Sequence, residues 1–207
     1  GADCLLTNTF GGSRIMLNRH SQADDVAAIN AAGVRIAREA FGDRAGYVIG
    51  DIGPFGGLME PYGEFTETQV REAFREQAEA LIEAGADAIF PEALVNAEMF
   101  RAFAQALPGV KLLANMTEFG RTPFFTAAEF QDMGYRMVIW PVSSLRVANK
   151  AQAELYAAIH RDGGTQAMLD RMQTRAELYA AIGYHDYEAL DASIVKTVIP
   201  EGMPQRG

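Results

Sequence analysis

What most narrows the fold of this chain is a recurrence: five short apolar runs, separated by stretches whose apolar residues recur with helical period. The runs are Cys4 to Thr9, Tyr47 to Ile52, Ala88 to Glu92, Lys111 to Met116 and Met137 to Val142. Short strands alternating with amphipathic helices are the βαβα signature of a parallel sheet, so the expected class is α/β. The clearest helix is expected to start at Thr66. There Thr66 and Gln69 have capping-box spacing, Val70, Phe74, Ala78 and Leu81 share one face, and Gly85 marks the stop. Thr126 with Glu129 and Thr174 with Glu177 repeat the capping pattern and predict two more helix starts. The heptad Ala-Glu-Leu-Tyr-Ala-Ala-Ile occurs from Ala153 and again from Ala176, which reads as convergent helix packing rather than a domain repeat.

Composition narrows the function classes. A formal charge of −9 with no Lys/Arg cluster removes the electrostatic footprint that nucleic acid or an anionic membrane requires, so neither is expected as a partner. Cys4 is the only cysteine, which excludes an intrachain disulfide and points to a reducing cytoplasm. No apolar run approaches the ~18 residues of a membrane span. At 207 residues, with no Pro/Gly/Ser-rich linker, a single domain over 1–207 is expected.

In parallel α/β folds the chemistry gathers at the C-terminal ends of the strands. Those ends supply Thr7, Asn8 and Thr9, then Asp51, Glu92, the segment Asn115, Met116, Thr117, and Ser143-Ser144 with Arg146. Carboxylates, an amide, hydroxyls and an arginine together suit a small carboxylate ligand, which Arg146 could grip in bidentate fashion. The same residue types also satisfy turn backbones and cap helices. His20, His160 and His185 have no ligand or dyad spacing, and Cys4 is expected to be a small buried hydrophobe. Trp140 and Phe124-Phe125 are expected in the core or a pocket wall. The glycine-rich pieces Phe10 to Ser13 and Gly53 to Gly57 match no phosphate-binding fingerprint.

Two resemblances follow. From about Gly85 onward, through Phe90-Pro91-Glu92-Ala93, Leu113 to Gly120, Thr122-Pro123, Pro141-Val142-Ser143 with Arg146, and Met172 to Tyr179, the chain resembles 2-methylisocitrate lyases of the isocitrate lyase and phosphoenolpyruvate mutase superfamily. The tail Lys196 to Gly202 extends the likeness. The resemblance implies substrate contacts at Glu92, Asn115, Met116, Thr117, Arg146 and Arg175, and Mg²⁺-assisted retro-aldol cleavage of a branched tricarboxylate to pyruvate and succinate. The Asp-rich strand and Lys-x-Cys-Gly-His loop of those lyases do not occur in this chain, which leaves Asp51 as the candidate substitute metal ligand. From Gly1 to about Glu83 the chain resembles homocysteine S-methyltransferases, through Gly1-Ala2-Asp3, Thr7-Asn8-Thr9-Phe10-Gly11, Asn30-x-x-Gly33, Gly50 to Pro54 and Glu76-Gln77. That family implies zinc on three cysteines; with Cys4 alone, zinc is not expected.

Both families build (βα)₈ barrels, so the resemblance implies a partial or rearranged TIM-type barrel with about five parallel strands and extra C-terminal helices, joined near Gly85-Ala86-Asp87 between parts 1–87 and 88–207. Starting directly on a strand-like run at Gly1, the chain reads as a truncated barrel. A five-strand arc leaves two open sheet edges, for which association into a homo-oligomer is expected. Three functional classes remain open at this point: a lyase, a non-catalytic di- or tricarboxylate binder, and a methyltransferase-like protein lacking its zinc ligands.

Overall fold

A computed structural model describes residues 1–194 and divides the chain into two compact units, Gly1–Ser144 and Leu145–Gly207. The expected likeness at Lys196 to Gly202 lies outside the described residues.

Each apolar run forms a strand where expected. β1 (Cys4–Leu6), β2 (Tyr47–Ile52) and β3 (Ala88–Pro91) make a parallel sheet in that order, with Leu5 opposite Val48 and Asp51 opposite Phe90. β4 (Leu113–Asn115) and β5 (Met137–Ile139) make a second parallel sheet. One bridge, Ile89 with Leu112, connects the two, and the Ile89 amide donates to Lys111 O at 2.9 Å. Among the described residues this is an α/β fold of five parallel strands with no closed barrel. β2 has the expected limits; β1, β3, β4 and β5 end before the last residues expected of them, and β4 also begins later, at Leu113.

Five helices lie between and beside the strands of the first unit: α1 (Arg14–Asn18), α2 (Val26–Glu39), α3 (Glu67–Glu83), α4 (Ala97–Ala106) and α5 (Ala127–Asp132). The extra C-terminal helices are α6 (Ser143–Asp162), α7 (Arg175–Ala181) and α8 (Tyr184–Ser193). At the start of α3, Thr66 Oγ1 accepts from the Gln69 amide at 3.2 Å and Gln69 Oε1 accepts from the Thr66 amide at 2.9 Å. The same reciprocal box starts α5 at Thr126 and α7 at Thr174. Past the end of α3, Gly85 adopts φ +92°, a left-handed conformation open to glycine, and the following Ala86 amide closes the turn onto Leu81 O at 3.0 Å. Thr66→Ala is expected to cost ~1 kcal/mol, read as a lowered urea midpoint with an unchanged m-value. No change would mean the box contributes nothing here.

Strand alternation divides the apolar residues between two faces. Val48, Ile52, Ile89, Leu112, Ala114 and Met116 face the helices and pack with Leu81, Phe100 and Phe130 in the main core. Ile49, Ala88, Phe90 and Leu113 form a smaller cluster on the opposite, inner face, with Met137 against it. At the flanks of that layer, on the outermost strands, Leu6 and Ile139 are 48% and 36% exposed. Cys4 is exposed, contrary to expectation: β1 has a strand neighbour on one side only, and pleating turns Leu5 rather than Cys4 to the core. Phe124 is also exposed; Trp140, though 45% exposed, lines a surface pocket with Tyr135 and Arg136 as a wall residue, and Phe125 lies edge-on to Phe100 and Phe130 at 6.1 and 5.5 Å. None of the helices among the described residues is long and apolar enough to cross a membrane.

Candidate functional site

Because residues two apart share a face, the inner faces of β2, β3 and β4 carry Asp51, Phe90 then Glu92, and Leu113 then Asn115 toward one rim. This brings together the central candidates of the sequence: Asp51, Glu92, Asn115 and Thr117. The Thr117 hydroxyl donates to Asn115 Oδ1 at 2.8 Å, which aims the amide nitrogen of Asn115 away from Thr117 and leaves it as a donor.

Asp51 is the electrostatic centre of the rim. It is buried, its Oδ1 has no hydrogen-bond partner, and burial together with the charge of Glu92 pushes its carboxyl up to about 6. Glu92, half-buried just past the end of β3, is also raised above its ordinary value by burial. Two neighbouring carboxyls thus both resist ionisation at this rim.

Thr7 is buried at the base of the rim. Its hydroxyl accepts from the Asp51 amide at 3.0 Å and pairs with the Thr9 hydroxyl at 2.6 Å, while Thr9 Oγ1 donates to Asp51 O at 2.7 Å. Gln77 from α3 donates to Thr9 O at 2.7 Å and to Asn30 Oδ1 at 3.2 Å. Thr7 is therefore committed to fixing β1 against β2 beneath Asp51, and Asn8 beside it is exposed. Met116 is also set apart: its side chain is buried among the helix-facing residues, and its backbone amide is spent on Ile139 O at 2.9 Å. Alternation is the physical reason, since Asn115 and Thr117 turn inward and the residue between them must turn outward. Arg146, in the first turn of α6, and Arg175, which opens α7, are exposed residues of the second unit.

One pairing escaped the sequence. Ser143 Oγ donates to Glu118 Oε1 at 2.5 Å across 25 residues of chain. Nothing local could have revealed it, because it depends on β4 and β5 lying side by side.

A family model described as homocysteine S-methyltransferase matches residues 1–153. The chain belongs to that family. Curated relatives add a second likeness: the 2-methylisocitrate lyase of Bacillus subtilis is 57% identical over 125 residues, which are 60% of this chain and 41% of the relative. The enzyme of the same name from Halalkalibacterium halodurans is 55% identical over 126 residues, 61% of this chain and 42% of the relative. The chain thus spans about two fifths of the length of the curated relatives it matches. Among solved structures, 2,3-dimethylmalate lyase, a member of the PEP mutase/isocitrate lyase superfamily, covers 98% of this chain and 72% of its own at 25% identity, with a TM-score of 0.64.

Resemblance to both families stands, but the two overlap instead of meeting at Gly85-Ala86-Asp87. The homocysteine S-methyltransferase match continues past β3, β4 and β5 into α6. The dimethylmalate lyase likeness, in turn, extends over nearly the whole chain.

Proposed function

We propose that this chain binds a small di- or tricarboxylate at the rim formed by Asp51, Glu92, Asn115 and Thr117, and cleaves a carbon–carbon bond of it in the manner of 2-methylisocitrate lyase. The observation that carries the reading is the convergence of those four polar side chains on one inner face at the strand ends, in a chain 57% identical to such a lyase over 125 residues. A retro-aldol cleavage removes a hydroxyl proton and stabilises the enolate that leaves. Glu92 is suited to accept that proton at a carboxylate oxygen, since burial raises its basicity. The Asn115 amide and Thr117 hydroxyl, fixed against each other, orient a substrate carboxylate, and Arg146 and Arg175 remain carboxylate-binding residues by resemblance.

Mg²⁺, implied by the lyase likeness, fits Asp51, with Glu92 kept for the proton. The orphaned Asp51 Oδ1 offers a free hard oxygen, and a divalent cation would offset the burial and the Glu92 charge that raise its carboxyl. When bound, the cation supplies Lewis-acid stabilisation of negative charge. Zinc does not fit: a three-cysteine site cannot be built from Cys4 alone.

A second reading, a carboxylate binder without turnover, is favoured by two features. Among the described residues no three His, Cys, Asp or Glu side chains gather as a metal group, and Cys4 opens β1 at the end of the sheet opposite the rim. One experiment separates the two readings. Pyruvate release from 2-methylisocitrate with Mg²⁺, abolished by a chelator, is the expected result for the lyase. Absence of release, with succinate at about a hundred times its Kd stabilising the chain by about 2.7 kcal/mol and the effect lost in Arg146→Ala, would establish the binder. Neither release nor stabilisation would remove both.

A further inference from the structure

Among the described residues four non-glycine residues have positive φ, and three of them follow consecutive strands: Ala93 (φ 61°) after β3, Phe119 (φ 64°) after β4 and Val142 (φ 68°) after β5. For a β-branched residue such as Val142 this conformation is a genuine outlier, and each such residue costs on the order of 1–3 kcal/mol unless its surroundings enforce it. The residues beside them lie in or next to the candidate rim, Glu118 directly following Thr117. Ala93 follows Glu92, Phe119 follows Glu118, and Val142 precedes Ser143.

The enforcement is visible in two hydroxyl bonds that bracket the loop after β4. Near its far end Thr122 Oγ1 donates to Leu94 O, in the loop after β3, at 2.8 Å. Near its start Glu118 accepts from Ser143 Oγ, at the start of α6, at 2.5 Å. Both members of the second bond adjoin a left-handed residue, so this one contact opposes the relaxation of Phe119 and Val142 together. Glu118 also directly follows Thr117, whose hydroxyl is bonded to Asn115. A hydrogen bond to a carboxylate in a half-buried setting is among the stronger kinds, strong enough to hold a strained turn.

We propose that Ser143 and Glu118 are positioning residues: their hydrogen bond holds the loops after β4 and β5 in strained conformations that present Asn115 and Thr117 to a carboxylate ligand. The inference rests on the carboxylate-site reading above, and its test is built to separate the two. Wild type, Ser143→Ala, Ser143→Thr and Glu118→Gln are compared by amide hydrogen exchange over residues 117–122 without ligand, and by succinate titration.

In Ser143→Ala, exchange in that segment is expected to quicken and succinate affinity to fall by about tenfold, with the thermal midpoint of the chain unchanged. Ser143→Thr keeps the hydroxyl and restores both. Glu118→Gln keeps an acceptor oxygen without the charge and falls between. If wild type binds succinate and Ser143→Ala leaves both exchange and affinity unaltered, the positioning role is overturned. A uniform loss of protection across the strands in Ser143→Ala, not rescued by Ser143→Thr, would likewise overturn it, because the residue would then support the fold generally. If wild type does not bind succinate while Ser143→Ala still loosens the loop, it is the carboxylate reading that fails, and the positioning role falls with it.

Discussion

Phe100→Ala is expected to cost about 3–5 kcal/mol. The ring is 2% exposed and meets Phe125, Phe130 and Tyr135 edge to face, with centroids 6.1, 5.1 and 5.2 Å away. Removing it forfeits the burial of a large apolar side chain and three aromatic contacts, and opens a cavity the surrounding rings cannot close. Against a net stability of about 5–15 kcal/mol for a folded protein, the loss consumes about a fifth at the least. Urea unfolding should show a much lower midpoint for Phe100→Ala and a milder shift for Phe100→Leu. A cost below about 1 kcal/mol would mean that these rings do not form the centre of the core.

The second large effect is a gain. Asp51→Asn should melt higher than wild type by a few degrees at pH 7–8 in the presence of a chelator, each kcal/mol being worth about 2–4 °C in a chain of this size. The sign follows from linkage. In the folded chain the Asp51 carboxyl is raised from 3.8 to about 6, so the folded state binds its proton more tightly than the unfolded state does. Its contribution to stability is full below about pH 4, declines as the pH rises to about 6, and is gone above that. An asparagine never ionises and does not carry this decline, so the two proteins should converge near pH 4 and separate above pH 6.

Asp87 works in the opposite sense. Burial opposes ionisation, but the Val48 amide at 2.7 Å and Arg38 at 2.7 Å outweigh it and hold its carboxyl below the ordinary value. Its stabilisation is present at neutral pH and is lost as acid protonates it. Subtracting the Asp51→Asn profile from wild type isolates Asp51 from this background. Adding Mg²⁺ should raise the melting point of wild type at pH 7–8 and leave that of Asp51→Asn unmoved. Equal responses in both would count against Asp51 as a metal ligand.

How far the sequence reveals this molecule depends on the range of the interactions involved. The five strands and the three capping boxes were legible because each depends on neighbours a few residues away: Thr66 and Gln69 are three apart, and so are Thr126 with Glu129 and Thr174 with Glu177. Strand face was legible in principle. Leu113 and Asn115 turning inward already implies that Met116 turns outward, and alternation outranks a motif's apparent continuity. The role of Thr7 was not legible, since its hydroxyl is claimed by the Asp51 amide, 44 residues away. Cys4 is apolar in context but exposed, because on the edge strand β1 the pleat turns Leu5 to the core and Cys4 to the other face. The Ser143–Glu118 bond and the orphaned Asp51 oxygen are properties of assembled loops and of a buried setting, which no local pattern encodes.

The sheet's two faces have unequal duties. The helix-facing side holds the larger share of the buried apolar residues, and the inner side holds the rim's polar groups above a smaller cluster. A substitution at the rim therefore tests ligand recognition while leaving the main store of stability intact. A lineage carrying this architecture can change what it binds by drift on one side of five short strands without passing through an unfolded ancestor, and two families with unlike chemistry can keep recognisable kinship in a single chain.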